Sequence, residues 1–319
     1  MSQPRIYLHD LNPDSDDFLA DVKKGLAQQP ARVPPKYFYD ETGSRLFEAI
    51  TVLPEYYPTR TEISILNKYA AEIAAQVGTG GLLVEPGGGA CAKVHILLQG
   101  LQPVAYVPMD ISRDHLWAAA EELAAQFPWL EVHAACADFT QPILLPESVP
   151  DAFRVAFFPG SSIGNFDPEG AVDFLKLIRD LVGKGGCLLI GVDLKKDKAI
   201  LEAAYDDAAG VTAEFNLNLL TRMNQELGMD FNRDYWRHKA VYNENLGRIE
   251  MHLVATRHQV VHLGGESYAF KEGETIHTEN SYKYEIEDFK MLSGKAGFQS
   301  TSVWTDDYHL FSVHLYHVE

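Results

Sequence analysis

The chain has 319 residues, 46% of them hydrophobic and 23% charged, enough apolar material for one large domain or two modest ones with real cores. Its formal net charge of -18 repels DNA, RNA and anionic lipid surfaces, so a small-molecule partner is expected, not a nucleic acid or a membrane. Cys91, Cys136 and Cys187 are odd in number and far apart, Met1-Ser2-Gln3-Pro4-Arg5 has no apolar signal core, and no run is long enough to span a bilayer, which together suit reduced thiols in a cytoplasmic protein.

Residues 14 to 30 are predicted as an amphipathic helix, with Phe18, Leu19, Val22 and Leu26 at helical spacing. Pro34-Pro35-Lys36-Tyr37-Phe38-Tyr39-Asp40 follows, then a helical stretch through Leu46, Phe47 and Ile50, then Leu53-Pro54-Glu55-Tyr56-Tyr57-Pro58-Thr59-Arg60. Tyrosines pinned between prolines are held at low conformational cost, which suits a preformed pocket wall as well as a plain aromatic anchor in a loop. Thr61 to Val77 reads as a helix.

From Leu82 strands and helices alternate. Leu82 to Glu85 runs into Pro86-Gly87-Gly88-Gly89-Ala90; Val104 to Met109 ends in Asp110; Leu116 to Phe127 is an alanine-rich helix; Val132 to Ala137 closes on Asp138-Phe139. Arg154 to Phe158 is the next strand, Phe174 to Val182 a helix, and Gly186 to Val192 a strand again. This alternation implies a parallel, doubly wound sheet with right-handed crossovers, whose ligands bind outside the carboxyl ends of the strands.

The polar residues fall at those ends. Gly87-x-Gly89-x-x-Ala92 lets backbone N–H groups approach a ligand, although three consecutive glycines also occur in plain turns. Asp110 lies about 21 positions after Gly89, the distance at which an acidic side chain accepts hydrogen bonds from ribose hydroxyls; its alternative role is a strand-end cap. Asp138 offers a carboxylate for an exocyclic amine and Phe139 a ring to pack on a base.

Past Asp193 the pattern changes. Lys195-Lys196-Asp197-Lys198 reads as a solvated edge, Ala199 to Leu227 as helical, Asp234 to Val241 as another helix, and Arg248 to Ala255, Gln259 to Leu263 and Glu274 to Thr278 as strands. This block does not extend a parallel sheet. Residues 1–60 plus 199–284 are therefore expected to form a smaller α+β domain, and 61–198 plus 285–319 the sheet domain. After a helix from Glu285 to Ala296, strands through Val303-Trp304 and from Tyr308 to Leu315 make a terminal hairpin whose last strand must run antiparallel. That ending belongs to S-adenosylmethionine-dependent methyltransferases more than to dinucleotide dehydrogenases, so the fold expected is α/β, a Rossmann-like class I methyltransferase sheet, mostly parallel with an antiparallel last strand.

Four stretches carry a closer resemblance. Lys36 to Asp40 with Gly43-Ser44, Leu53 to Arg60, Phe158-Pro159-Gly160-Ser161-Ser162-Ile163-Gly164-Asn165-Phe166, and Glu279-Asn280-Ser281-Tyr282-Lys283 resemble the motifs of the histidine-specific methyltransferase family of ergothioneine biosynthesis. The resemblance covers essentially the whole chain. It implies Nα-trimethylation of L-histidine to hercynine through mono- and dimethylated intermediates, with S-adenosylmethionine as cofactor, S-adenosylhomocysteine as product, no metal, and a monomeric cytoplasmic enzyme. By similarity Tyr56, Asn165 and Tyr205 would hold the substrate carboxylate, Glu279 and Ser281 the imidazole nitrogens, and Met251 would lie near the side-chain pocket. Tyr39 would stand beside the transferring methyl. Gly87, Lys93, Asp110, Asp138 and Phe139 would be cofactor contacts, with Gly160 between the two ligands. The loop departs from the family's Glu-Leu-Gly-Ser-Gly, reading Glu85-Pro86-Gly87-Gly88-Gly89-Ala90-Cys91, so side-chain contacts from positions 88 to 91 are not carried over.

The residue chemistry agrees. A histidine ring satisfies a buried glutamate where a hydrocarbon side chain leaves it unpaired, and Ser281, two residues on, points the same way on an extended segment. Aromatic walls tolerate a growing ammonium. His258-x-x-x-His262 and His314-x-x-His317 lie on expected strands far from the cysteines and lack a third ligand, which argues against a metal. The competing readings are a methyltransferase for another amino acid or amine, an NAD-dependent oxidoreductase, and a non-catalytic ligand-binding module.

Overall fold

A computed structural model describes residues 5–11, 18–142 and 145–319. In chain order the elements are β1 (Arg5–Asp10), α1 (Phe18–Leu26), β2 (Ala31–Arg32), α2 (Glu41–Thr51), α3 (Tyr57–Val77), β3 (Leu82–Pro86), α4 (His95–Leu101) and β4 (Ala105–Asp110). Next come α5 (Arg113–Gln126), β5 (Glu131–Cys136), β6 (Arg154–Phe158), α6 (Pro168–Val182), β7 (Cys187–Asp193), α7 (Lys198–Tyr205) and α8 (Val211–Leu227). The rest are β8 (Trp236–Asn243), β9 (Arg248–Ala255), β10 (Gln259–Leu263), β11 (Glu266–Phe270), β12 (Thr275–Tyr282), α9 (Ile286–Lys295), β13 (Gln299–Thr305) and β14 (Phe311–His317). No helix among the described residues is long and apolar enough to cross a membrane.

The chain divides into two compact units, the first comprising Met1–Asp14, Arg60–Leu194 and Tyr284–Glu319. Its eight-stranded sheet has the order β1-β5-β4-β3-β6-β7-β14-β13. All neighbouring pairs are parallel except those of β14, which runs antiparallel to both β7 and β13. Strand β7, Cys-Leu-Leu-Ile-Gly-Val-Asp, is buried along its whole length, as a central strand covered on both faces must be. Ile65, Leu66 and Ile73 of α3, Leu97 and Leu98 of α4, and Leu116 and Leu123 of α5 share one apolar cluster with Leu83, Tyr106, Val132, Leu189 and Leu315 from the strands. Helix α6 begins on Asp167, whose carboxylate accepts from the Gly170 N–H, with Pro168 in the first turn, and it buries Phe174, Leu175, Ile178 and Leu181.

The second unit comprises Ser15–Thr59 and Lys195–Lys283. It has a four-stranded sheet of order β2-β12-β9-β8 and a separate β10-β11 hairpin. Helix α8 buries Phe215, Asn216, Leu219, Leu220 and Met223 and packs on β8 and β9. Strand β12 carries a register shift between His277 and Glu279: His277 faces His252, but Glu279 faces Met251 and Ser281 faces Ile249. That bulge at Thr278 turns Glu279 and Ser281 to the face that Met251 occupies, while Glu250, His252, His277 and Asn280 point to the other.

Several sequence expectations need correction. Asp234 to Val241 is not a helix: a short 3-10 turn, Arg233–Tyr235, leads into β8, whose register with β9 runs from Trp236 to Asn243. The stretch Ala199 to Leu227 is two helices, broken where Asp207 accepts from the N–H groups of Val211 and Thr212 (3.0 and 2.8 Å) and Gly210 takes φ +75. The first helix is observed from Phe18 to Leu26, its expected start at 14 to 17 lying outside the described residues. Residues 1–60 do not all belong to the smaller unit, because β1 pairs in parallel with β5. That strand, with β2 and β11, was not expected.

Candidate active site

In the sheet unit the loops after β3, β4, β5 and β6 gather most of the expected cofactor residues. Gly87 leaves β3 with φ +73, a conformation that disfavours a side chain, and a Cβ placed there would come 3.4 Å from the Phe139 ring. A Cβ at Gly89 would come 2.7 Å from Oδ2 of Asp110, so the glycine lets the loop backbone lie directly on that carboxylate. Asp110 also accepts from the Ser112 N–H at 2.8 Å, and burial raises its pKa against the lowering effect of that bond. Phe139 meets Phe158 and Phe174 edge-on, at 6.0 Å each. Asp138 accepts from both the N–H and the hydroxyl of Thr140 through one oxygen, at 2.9 and 2.6 Å, which shapes the turn after β5.

Lys93, also expected at the cofactor, has a protein partner of its own. Its ammonium is ion-paired with Glu62 in α3, whose side chain is completely buried. The same carboxylate accepts from the Gly160 N–H through both oxygens, at 3.1 and 2.9 Å. Gly160 turns at φ +85, and the following Ser161, at φ +58, sends its hydroxyl to accept from the Asp193 N–H at 2.8 Å. Glu62 thus ties together the chain after β3 and the chain after β6. Glu85, at the end of β3, accepts from the Tyr106 hydroxyl; burial pushes its pKa up to about 7, with Lys93 opposing the shift. Neither Glu62 nor Tyr106 was singled out in the sequence, since an isolated Glu or Tyr in a helix or strand carries no spacing signal. Asn165 ends the short 3-10 turn Ser162–Asn165 and is half-buried.

In the smaller unit the tyrosines form one aromatic cluster. Asp40 caps α2 by accepting from Gly43 N–H at 2.6 Å and from the Asn218 amide at 2.9 Å, which fixes the chain beside Tyr39. Tyr39 meets Phe47 and Phe215 edge-on at 5.7 and 5.9 Å. Tyr56 meets Phe47 at 6.4 Å and Tyr205 at 6.2 Å. Tyr205 reaches Ser281, hydroxyl to hydroxyl, at 2.7 Å. Lys283, 2% exposed, donates to both of these oxygens, at 3.0 Å to Tyr205 and 2.8 Å to Ser281.

Glu279 stands apart. Among the described residues nothing donates a hydrogen bond to its carboxylate; burial pushes its pKa up to about 7, and the charge of Lys283 opposes the shift. A carboxylate that burial partly strips of water and that no donor compensates is destabilising, so it points to a ligand that brings a donor. Met251, buried, sits directly opposite it on β9.

The histidine pairs singled out in the sequence have other employment. His262 pairs with Asp230 at 2.8 Å, His317 with Thr301 at 2.8 Å, and His314 is buried between Ser312 and Tyr316, its pKa pushed down to about 3 by burial. Glu250, His252 and His277, which no sequence spacing marks, bring one potential metal-ligand atom each within 4.8 Å of one another. The two rings are stacked, 4.7 Å apart and 29° from parallel, so their in-plane lone pairs do not converge. Glu250 is also engaged by both Nε and Nη2 of Arg248, at 2.8 and 2.7 Å. This cluster lies on the sheet face away from Glu279.

Residues 18–318 match the family model described as histidine-specific methyltransferase, SAM-dependent. The chain is 41% identical over 293 residues to the histidine N-alpha-methyltransferase of Mycolicibacterium smegmatis, covering 90% of each chain. It is 39% identical over 293 residues to the protein of the same description from Mycobacterium tuberculosis, again over 90% of each. Ergothioneine biosynthesis protein 1 of Neurospora crassa is 36% identical over 290 residues, which take in 86% of this chain and 32% of that one.

Proposed function

Since the chain belongs to the family of histidine-specific, SAM-dependent methyltransferases, we propose that it trimethylates the α-amine of free L-histidine to hercynine, a reaction of ergothioneine-type biosynthesis. One observation within the site supports this reading above the others. Glu279 offers a half-buried carboxylate without a hydrogen-bond donor, two residues from the Ser281 hydroxyl on the same face of β12. An imidazole ring can donate one N–H to the carboxylate and accept from the hydroxyl through its second nitrogen, and an alkyl or phenyl side chain can do neither.

The loops of the sheet unit fit S-adenosylmethionine: Asp110 would accept from the ribose hydroxyls, Phe139 would pack on the adenine, and Asp138 would take its exocyclic amine. The open backbone at Gly87 would carry the amino-acid end. The bound sulfonium supplies an electrophilic methyl that passes in line to a neutral amine. The protein's part is alignment and the exclusion of water. Tyr56 and Tyr205 would hold the carboxylate, which fixes the α-amine relative to the ring held by Glu279. Tyr39 would stand beside that amine, its hydroxyl able to relay to water the proton released at each of the first two transfers. Lys93 would act on the cofactor only through the geometry that Glu62 imposes on it.

Glu279→Ala tests the recognition directly. A charge-assisted hydrogen bond contributes about 1.5–3 kcal/mol, so the KM for histidine should rise roughly 10- to 100-fold while the affinity for S-adenosylhomocysteine, read by calorimetry, is unchanged. An unaltered KM would remove Glu279 from the site.

A further inference from the structure

Lys283 has no role in the reading above, yet it lies at the centre of the proposed histidine pocket. Its ammonium donates to the hydroxyl of Tyr205, proposed for the carboxylate, and to that of Ser281, proposed for the ring. It also stands 4.7 Å over the face of the Tyr205 ring. Ser281 and Tyr205 share a hydrogen bond of their own, so the three polar groups form a closed triangle with 2% exposure at the lysine. Met251 faces Glu279 from β9, and His277, two residues earlier, bonds its backbone carbonyl through Nε2 at 3.0 Å from a ring that burial keeps neutral, at about 4. The charge of Lys283 opposes the burial that raises the Glu279 pKa.

We propose that Lys283 is a positioning residue for histidine recognition: its ammonium fixes the Tyr205 and Ser281 hydroxyls as one unit, so that the groups for the substrate carboxylate and for the ring are presented together. Its charge also opposes the burial that raises Glu279. The assignment rests on the histidine reading. Without the lysine, Tyr205 and Ser281 can still bond to each other, but the pair loses its anchor. Glu279 then faces the same desolvation without that opposing charge, which moves its protonation to higher pH. A protonated Glu279 no longer accepts from the ring.

The experiment compares the pH dependence of the histidine KM in wild type, Lys283→Met and Lys283→Arg. In wild type the KM should rise on acidification through about 7, where Glu279 takes up its proton. Lys283→Met should raise the KM about tenfold or more at about pH 8, leave kcat within about threefold, and move the acid limb to higher pH. Lys283→Arg, which keeps the charge, should leave the limb where it is in wild type. Affinity for S-adenosylhomocysteine reports that each variant is folded, and Lys283→Gln serves in place of Lys283→Met should the latter not fold. Equal KM increases in the Met and Arg variants with an unmoved limb would reduce Lys283 to a packing role and overturn the proposal, as would a Met variant with the wild-type KM. Turnover of histidine by the wild type judges the underlying reading separately.

Discussion

Glu279 carries opposite consequences for binding and for stability. Burial pushes its carboxyl up to about 7 in the folded chain, against 4.5 for an ordinary glutamate. A group whose folded pKa is raised contributes stability that is complete below the unfolded value and is lost as pH rises through the folded one. The ligand-free protein should therefore lose stability between about 4.5 and 7 on account of this residue, and Glu85, raised to about 7 in the same sense, adds to the loss. Glu279→Gln should be more stable than wild type at about pH 8 by about 1–3 kcal/mol, with the difference vanishing near pH 5. Denaturant unfolding at the two pH values checks this, and an equal difference at both would mean that the carboxylate is not held at a cost. At this scale the sequence was legible where a motif was dense. Tyr39, Tyr56, Gly160, Asn165, Glu279 and Ser281 could be picked out because they fall within runs of family-like residues. Lys283 lay inside such a run and was still passed over, since only the fold brings its ammonium to Tyr205, 78 positions away in the chain. Glu62 was passed over for the same reason, its partners Lys93 and Gly160 being 31 and 98 positions distant.

Among the elements, the cofactor end depends on how α3 meets β7. A Cβ at Gly191 of β7 would come 1.9 Å from Oε1 of Glu62, so glycine there makes room for the carboxylate that holds Lys93 and the Gly160 turn. Gly191→Ala should force Glu62 aside, costing about 1–3 kcal/mol in overpacking and weakening S-adenosylhomocysteine binding as well. Thermal unfolding with and without that ligand separates the two effects, and a variant with wild-type stability and affinity would contradict the role given to Glu62. The alternation from β3 to β7 and the terminal hairpin could be read in advance because long apolar strands and amphipathic helices have distinct periods. Strand β8 could not. Trp236, His238, Ala240 and Tyr242 alternate with Arg237, Lys239 and Val241 on an edge strand whose half-polar faces show no clear period of two. The α7–α8 break is marked by Asp206-Asp207 and Gly210, a cap and a left-handed turn that the surrounding helical composition obscured.

At the scale of the molecule, one compact unit carries a glycine-lined, Asp110-bearing strand-end site and the other an aromatic pocket wall with an unsatisfied carboxylate. The first would bind the methyl donor and the second the amino acid, as expected of a histidine-specific, SAM-dependent methyltransferase. The mostly parallel sheet with its antiparallel last strand was foreseeable from the alternation and the terminal hairpin, whereas the edge strand β1 was not: Arg5-Ile6-Tyr7-Leu8-His9-Asp10 is half-exposed and too polar to announce a sheet strand. The central claim is that this chain methylates the α-amine of histidine three times. Mass spectrometry of reactions containing S-adenosylmethionine and, in parallel, histidine, its mono- and dimethyl derivatives, tryptophan and tyrosine tests it most directly. The account predicts hercynine from all three histidine substrates and no product from the other two amino acids; methylated tryptophan or tyrosine with unchanged histidine would contradict it.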